Sequence, residues 1–161
     1  MPGSRLTQPR TLDDMLLYVM WQVQAAARRP VVRVCEAEFG VTRREWRMLA
    51  QLGRGTGVAS SALAARAGLD RAQTSRAVGA LVHKGLVART PRRGDRREVL
   101  LDLTPAGRAL YEALLPRVAA INRELLSVLD ETQVAALDAL LQRLRAQAER
   151  MAAAVDRPDL A

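Results

Sequence analysis

The sequence predicts a mainly α-helical protein with one small β-hairpin. Nearly half of its 161 residues are apolar while only 3% are aromatic, an Ala- and Leu-rich balance that favours helix over a β-sandwich. Apolar residues recur at three- and four-residue steps along most of the chain. The segment RTPRRGDRREVLL at 89–101 breaks that rhythm with a Pro/Gly turn followed by alternation, the pattern of paired strands.

Residues 1–10 hold two prolines and no periodicity, so they read as a flexible N-terminal tail. Residues 11–57 form an N-terminal helical region. Thr11 and Asp14 resemble a capping box, with Leu12, Leu16, Val19 and Val23 following at helical spacing. Pro30 is expected to kink or end that helix, leaving VVRVCEAEFG as a bent continuation or a separate short helix. Thr42 and Glu45 make a full capping box and Gly53 a stop. After the glycine-rich GRGTG comes a short helix near 60–67, ended by Gly68. Asp70, with Gln73 three residues on, then caps the helix RAQTSRAVGALVHKG.

LVART and REVLLDL flank PRRGD as a hairpin with a long charged tip, Val99, Leu101 and Leu103 sharing one face. Thr104-Pro105 starts the first of two long helices, a cap followed by proline at the first helical position. That helix carries Leu110, Leu114, Val118, Ile121, Leu125 and Val128, with Pro116 an expected kink. The second is capped by Asp130 with Gln133. Val134, Leu137, Leu141, Leu144, Ala148, Met151 and Val155 step along it as a heptad seam that needs a partner helix. Residues 104–155 therefore read as C-terminal dimerisation helices, and 156–161 as a frayed tail.

Charge points to the partner. The formal net charge is +8, and all but one of the 25 basic residues are arginine. Between 70 and 97 eight cations face two anions, which concentrates most of that excess in about a sixth of the chain. Five arginines between 89 and 97 repel one another unless something anionic meets them. The order short helix, helix, hairpin over 58–103 is a winged helix-turn-helix, a reader of duplex DNA. Val78, Leu81 and Val82 face the core, with Thr74 and Ser75 above them; Gln73, Arg76, Ala77 and Ala80 form the opposite stripe. The expected DNA-contact set is Arg71, Gln73, Thr74, Ser75 and Arg76 on the helix, with Arg92, Arg93, Asp95, Arg96 and Arg97 on the hairpin. Arg suits guanine edges, Gln suits adenine, and hairpin arginines suit backbone or minor groove. Asp95 is expected to orient Arg97 or a neighbouring arginine.

The stretches SSALAARAGLDRAQTSRAVGALVHKGLVART and GDRREVLLDLTPAGR, with Asp95-x-Arg97 and the flanking long helices, resemble the MarR family of bacterial transcriptional regulators over nearly the whole chain. That resemblance implies a homodimer built from the terminal helices, a palindromic operator, action as a repressor, and release by a small phenolic or carboxylic effector. Ala59 stands where relatives often carry a Ser or Thr cap, so the cap is expected to pass to Ser60.

The five aromatics lie outside the basic module, which argues against single-strand or RNA recognition by base stacking. An effector pocket of Tyr18, Trp21, Arg33, Trp46 and Arg47, taking an aromatic carboxylic acid, is the expectation. Core packing competes with it for each aromatic. Cys35 alone rules out an intrachain disulfide, and is either a redox-sensing thiol or a buried small hydrophobe. No Ser/His/Asp set, metal cluster or Gly-Lys-Ser/Thr phosphate loop is visible, so neither an enzyme nor a cofactor or metal protein is expected. With no spanning apolar run and no signal-peptide pattern, the chain reads as cytoplasmic with no membrane partner. A non-specific nucleoid-type DNA-binding protein is the alternative.

Overall fold

The computed structural model describes residues 4–68, 70–92 and 95–155, with backbone alone at 92 and 95–98. Two compact units emerge, Met1–Ile121 and Asn122–Ala161.

In the first unit, Asp14 closes its capping box with Thr11 around a single 3₁₀ turn, Leu12–Asp14, and helix α1 follows at Leu16–Arg33. Pro30 lies inside α1 and does not end it, so of the two expected outcomes the chain takes the continuation. Its missing N–H costs one helical bond, and the chain continues through a π-helical turn at Val34–Glu38, with the Val34 amide bonded back to Pro30 and Val31. Helix α2, Arg43–Leu52, opens on the predicted capping box. The Thr42 hydroxyl accepts from the Glu45 amide at 3.1 Å and the Glu45 carboxylate accepts from the Thr42 amide at 2.6 Å.

Beyond the GRGTG turn, Val58–Ala59 forms a short strand, β1, followed by α3 at Ser60–Ala67, α4 at Arg71–His83, β2 at Val87–Arg92 and β3 at Asp95–Leu103. The helix cap falls at Ala59 with no side-chain bond, so Ser60 is the first helical residue and does not take over the capping role. The hairpin is longer than the sequence suggested, because Pro91 and Asp95 are already paired. Its register shifts between Pro91 and Arg92, a bulge at the one strand position unable to donate a ladder bond. β1 adds a third strand, giving the antiparallel order β1-β3-β2 with Val58 opposite Leu101.

The core gathers Met48, Leu49 and Leu52 from α2, Leu63 from α3, Leu81 from α4, Leu101 from β3 and Leu114 from the next helix, all essentially inaccessible. That helix, α5, runs Pro105–Leu126. The Thr104 hydroxyl caps it by accepting from the Gly107 amide at 3.0 Å, and donates to the Gly85 carbonyl at 2.7 Å, tying α5 to the turn after α4.

The second unit takes in the end of α5 and helix α6, Glu131–Val155. Its capping box is reciprocal: the Gln133 amide donates to Asp130 at 2.8 Å and the Asp130 amide to Gln133 at 3.0 Å. No residue of α6 is buried, and Leu137, Leu140, Leu141, Leu144, Met151 and Val155 are all exposed.

Candidate nucleic-acid interface

Helices α3 and α4 are joined by a left-handed turn at Gly68, where φ is +60°. A side chain there would be strained, so glycine suits this end of α3. Asp70 then caps α4 by accepting from the Gln73 amide at 2.7 Å. Thr74, Ala77, Val78 and Leu81 form the buried stripe of α4, at i, i+3, i+4 and i+7. Arg71, Ala72, Ser75 and Arg76 are exposed and Gln73 is half-exposed.

This corrects the expected contact set at one residue. Thr74 is 1% exposed and its hydroxyl donates to the Asp70 carbonyl at 2.9 Å, so it holds the first turn and cannot reach a base. Ala77 is likewise core, not part of the outward stripe. What remains outward is two arginines, a glutamine, a serine and an alanine on the first turns of a helix: donors and acceptors of the reach and type that base edges and phosphates require.

Two clasps hold the module together, one of them at α4. At its C-terminal end the Lys84 ammonium donates to the Glu45 carboxylate at 2.9 Å and to the Gly40 carbonyl at 2.9 Å. Glu45 is 4% exposed, so its charge is compensated by this lysine and by the Thr42 amide. On the strand side, Asp102 accepts from the Gly57 amide at 2.6 Å, pinning the turn that leads into β1 and α3.

The hairpin extends beside this module, with Arg89 exposed on β2. The side chains of Arg92, Arg96 and Arg97, of Asp95, and the whole of Arg93 lie outside the described residues, as does the expected Asp95–Arg97 pairing.

Of the five residues expected to line an effector pocket, two stack on each other. Tyr18 and Trp21 stack on each other along α1 with centroids 5.4 Å apart, Trp21 being exposed. Trp46 is in the core and stacks on Tyr111 at 5.8 Å. Arg33 is exposed at the end of α1, and Arg47 donates to the Ala67 carbonyl at 3.2 Å. Arg47 instead borders a different cleft of about 460 Å³, between α1 with its π turn, α2 and α4. Arg28, Arg43, Arg44 and Arg76 line it too. The first three were missed by sequence reasoning. The signal was there in the spacing: Arg43 and Arg47, one turn apart on α2, are like charges on one face.

Cys35 is fully buried in the π turn, and burial, with the adjacent Glu36 carboxylate, pushes its thiol above the ordinary value. A peroxide-reactive thiol needs the opposite shift. Among the described residues no group of His, Cys, Asp and Glu side chains has the makings of a metal site, and no helix is long and apolar enough to cross a membrane.

Comparison with known proteins agrees with this geometry. A family model described as the MarR family matches residues 39–98. Over 124 residues the chain is 31% identical to a proposed transcriptional regulatory protein for the hcr operon of Thauera aromatica, covering 77% of this chain and 75% of that one. It is 30% identical over 119 residues to the transcriptional activatory protein BadR of Rhodopseudomonas palustris, covering 71% and 67%. The crystal structure of a probable transcriptional regulator from Pseudomonas aeruginosa superposes with a TM-score of 0.73 at 30% identity, over 83% of this chain and 99% of that one.

Proposed function

Since the chain belongs to the MarR family of DNA-binding transcriptional regulators, we propose that it is a repressor that binds a palindromic operator as a homodimer and is released by a small acidic ligand. The observation that carries this reading is the outward half of α4. Arg71, Gln73, Ser75 and Arg76 stand free above a fully packed stripe. The core and the Lys84–Glu45 clasp hold them ready for a groove, so binding costs little reorganisation.

Dimerisation is supported by what is left uncovered. The seam of α6, and Leu17, Met20, Trp21 and Val23 on α1, expose apolar surface that a monomer in water would not keep. A two-fold axis would present two α4 helices to successive major grooves about 34–36 Å apart. Repression needs no contact beyond occlusion of a promoter. Activation is the second reading, favoured by the activatory role in the name of the Rhodopseudomonas relative; operator position relative to the promoter decides between them. The protein acts by binding, not catalysis, and its place of work is the cytoplasm, where the chromosome is.

Selection of duplexes from a random pool, followed by titration, tests the proposal. An inverted repeat bound roughly 10³-fold more tightly than scrambled DNA is expected. Equal affinity for both would make it a general DNA-coating protein. A reporter driven from the selected site then reads the sign of regulation.

A further inference from the structure

The cleft between α1 with its π turn, α2 and α4 is rich in arginine. Five guanidinium groups (Arg28, Arg43, Arg44, Arg47 and Arg76) line it, against two carboxylates. One of these, Glu45, is already committed to Lys84 and the Thr42 amide. Among the described residues none of the five arginines has a carboxylate within 4 Å. Arg43 is half-buried there, and burial together with the Arg47 and Arg28 charges weakens its hold on its proton. Like charges crowded and partly desolvated raise the energy of the empty site, and an anion would relieve it.

We propose that this cleft binds a small polyanion, a phosphate ester or polycarboxylate carrying at least two negative charges, and that its occupancy weakens DNA binding. The charge of the lining sets the valence, and the volume of about 460 Å³ falls in the small-ligand range. A DNA backbone is the less suitable occupant. Arg43 and Arg47 are recessed, and Arg47 is tied to the Ala67 carbonyl; a convex duplex meets the exposed side chains of α4 before it meets them. Arg76 belongs to both surfaces, since it lines the cleft and projects from α4. An anion that engages Arg76 takes it from the duplex, so the two ligands antagonise each other by the same factor in either direction. This second half rests on the regulator reading; the anion site itself does not.

Calorimetric titration of the full chain at constant ionic strength, with pyrophosphate as probe and acetate as monoanionic control, tests the site. One pyrophosphate per protomer is expected, with binding roughly tenfold weaker in Arg43→Gln and in Arg28→Gln and no measurable heat from acetate. Arg28 is exposed, so its variant keeps the test readable if Arg43→Gln does not fold. Saturating pyrophosphate should weaken binding to the selected operator roughly fivefold in the unaltered protein and hardly at all in Arg43→Gln. No pyrophosphate binding, or binding unchanged in both variants, overturns the proposal. So does a uniform loss of affinity for all duplexes with a flatter salt dependence in both variants, which would make the cleft a DNA-phosphate contact. Pyrophosphate binding without any operator preference would sink the regulator reading while leaving the anion site standing.

Discussion

Two glycines with the same local conformation should answer substitution in opposite ways. Gly107 lies in the first turn of α5, where an added Cβ would collide with the Leu86 carbonyl oxygen. Gly79 lies inside α4 with nothing within 4 Å of that position. Replacing a helical glycine by alanine removes backbone entropy from the unfolded chain and gains up to about 1 kcal/mol in open space. Gly79→Ala should therefore raise the melting temperature. Gly107→Ala should lower stability by about 1–3 kcal/mol, because the overpacked neighbour is backbone and has nowhere to go. Denaturant melts of the two variants check both signs. Cys35 offers a third test at this scale. A thiol raised by burial stays neutral in the folded state at pH values where the unfolded chain ionises it. Its contribution to stability is thus complete below the unfolded value and is lost as pH rises through the folded one. Labelling by an aromatic disulfide reagent should lag behind a free thiol across that alkaline range and become fast only on denaturation. Peroxide should leave DNA affinity unchanged; release by peroxide that is abolished in Cys35→Ser would reverse this view.

At the scale of elements, helix and wing should fail differently. Gln73→Ala and Arg76→Ala should each cost about 1–3 kcal/mol and relax base preference. Arg96→Ala should weaken binding to every sequence and reduce the salt slope by about one. Mobility-shift titrations over a salt series on operator and scrambled duplex separate the two. If all three variants behave alike, the division of labour between α4 and the hairpin is wrong. Much of this layout was legible beforehand because caps and stops are local chemistry: Thr42 with Glu45, Gly68, Asp70 with Gln73, and Asp130 with Gln133 all act within a turn of themselves. What was not legible depends on partners far along the chain. Alanine suits a groove floor and a core equally, so Ala77 could be placed only once Thr74, Val78 and Leu81 were seen beneath it. β1 is two residues long and exists by pairing with β3. Pro30 signals a kink or an end, and only the structure shows that the helix runs past it to Arg33 and into the π turn. The arginine cleft joins positions 28, 43 and 76, and only folding brings them side by side.

For the molecule as a whole, α6 sets the terms of stability. A 25-residue helix with no buried residue lacks the tertiary packing from which most helical stability comes, so its seam should be satisfied by a second copy. Leu141→Asp or Leu144→Asp should shift sedimentation from dimer to monomer and abolish tight binding to the inverted repeat, leaving only weak half-site association. A variant that remains dimeric would place the interface elsewhere. The Lys84 clasp has a practical corollary at this scale. In a chain with no other lysine, Lys84 carries the sole side-chain primary amine, 36% accessible and bonded to an inaccessible carboxylate. An amine-selective acylating reagent therefore has one side-chain amine to modify, and neutralising it strands a negative charge at the end of α4. Reductive methylation of the same nitrogen would preserve the charge and spare the fold.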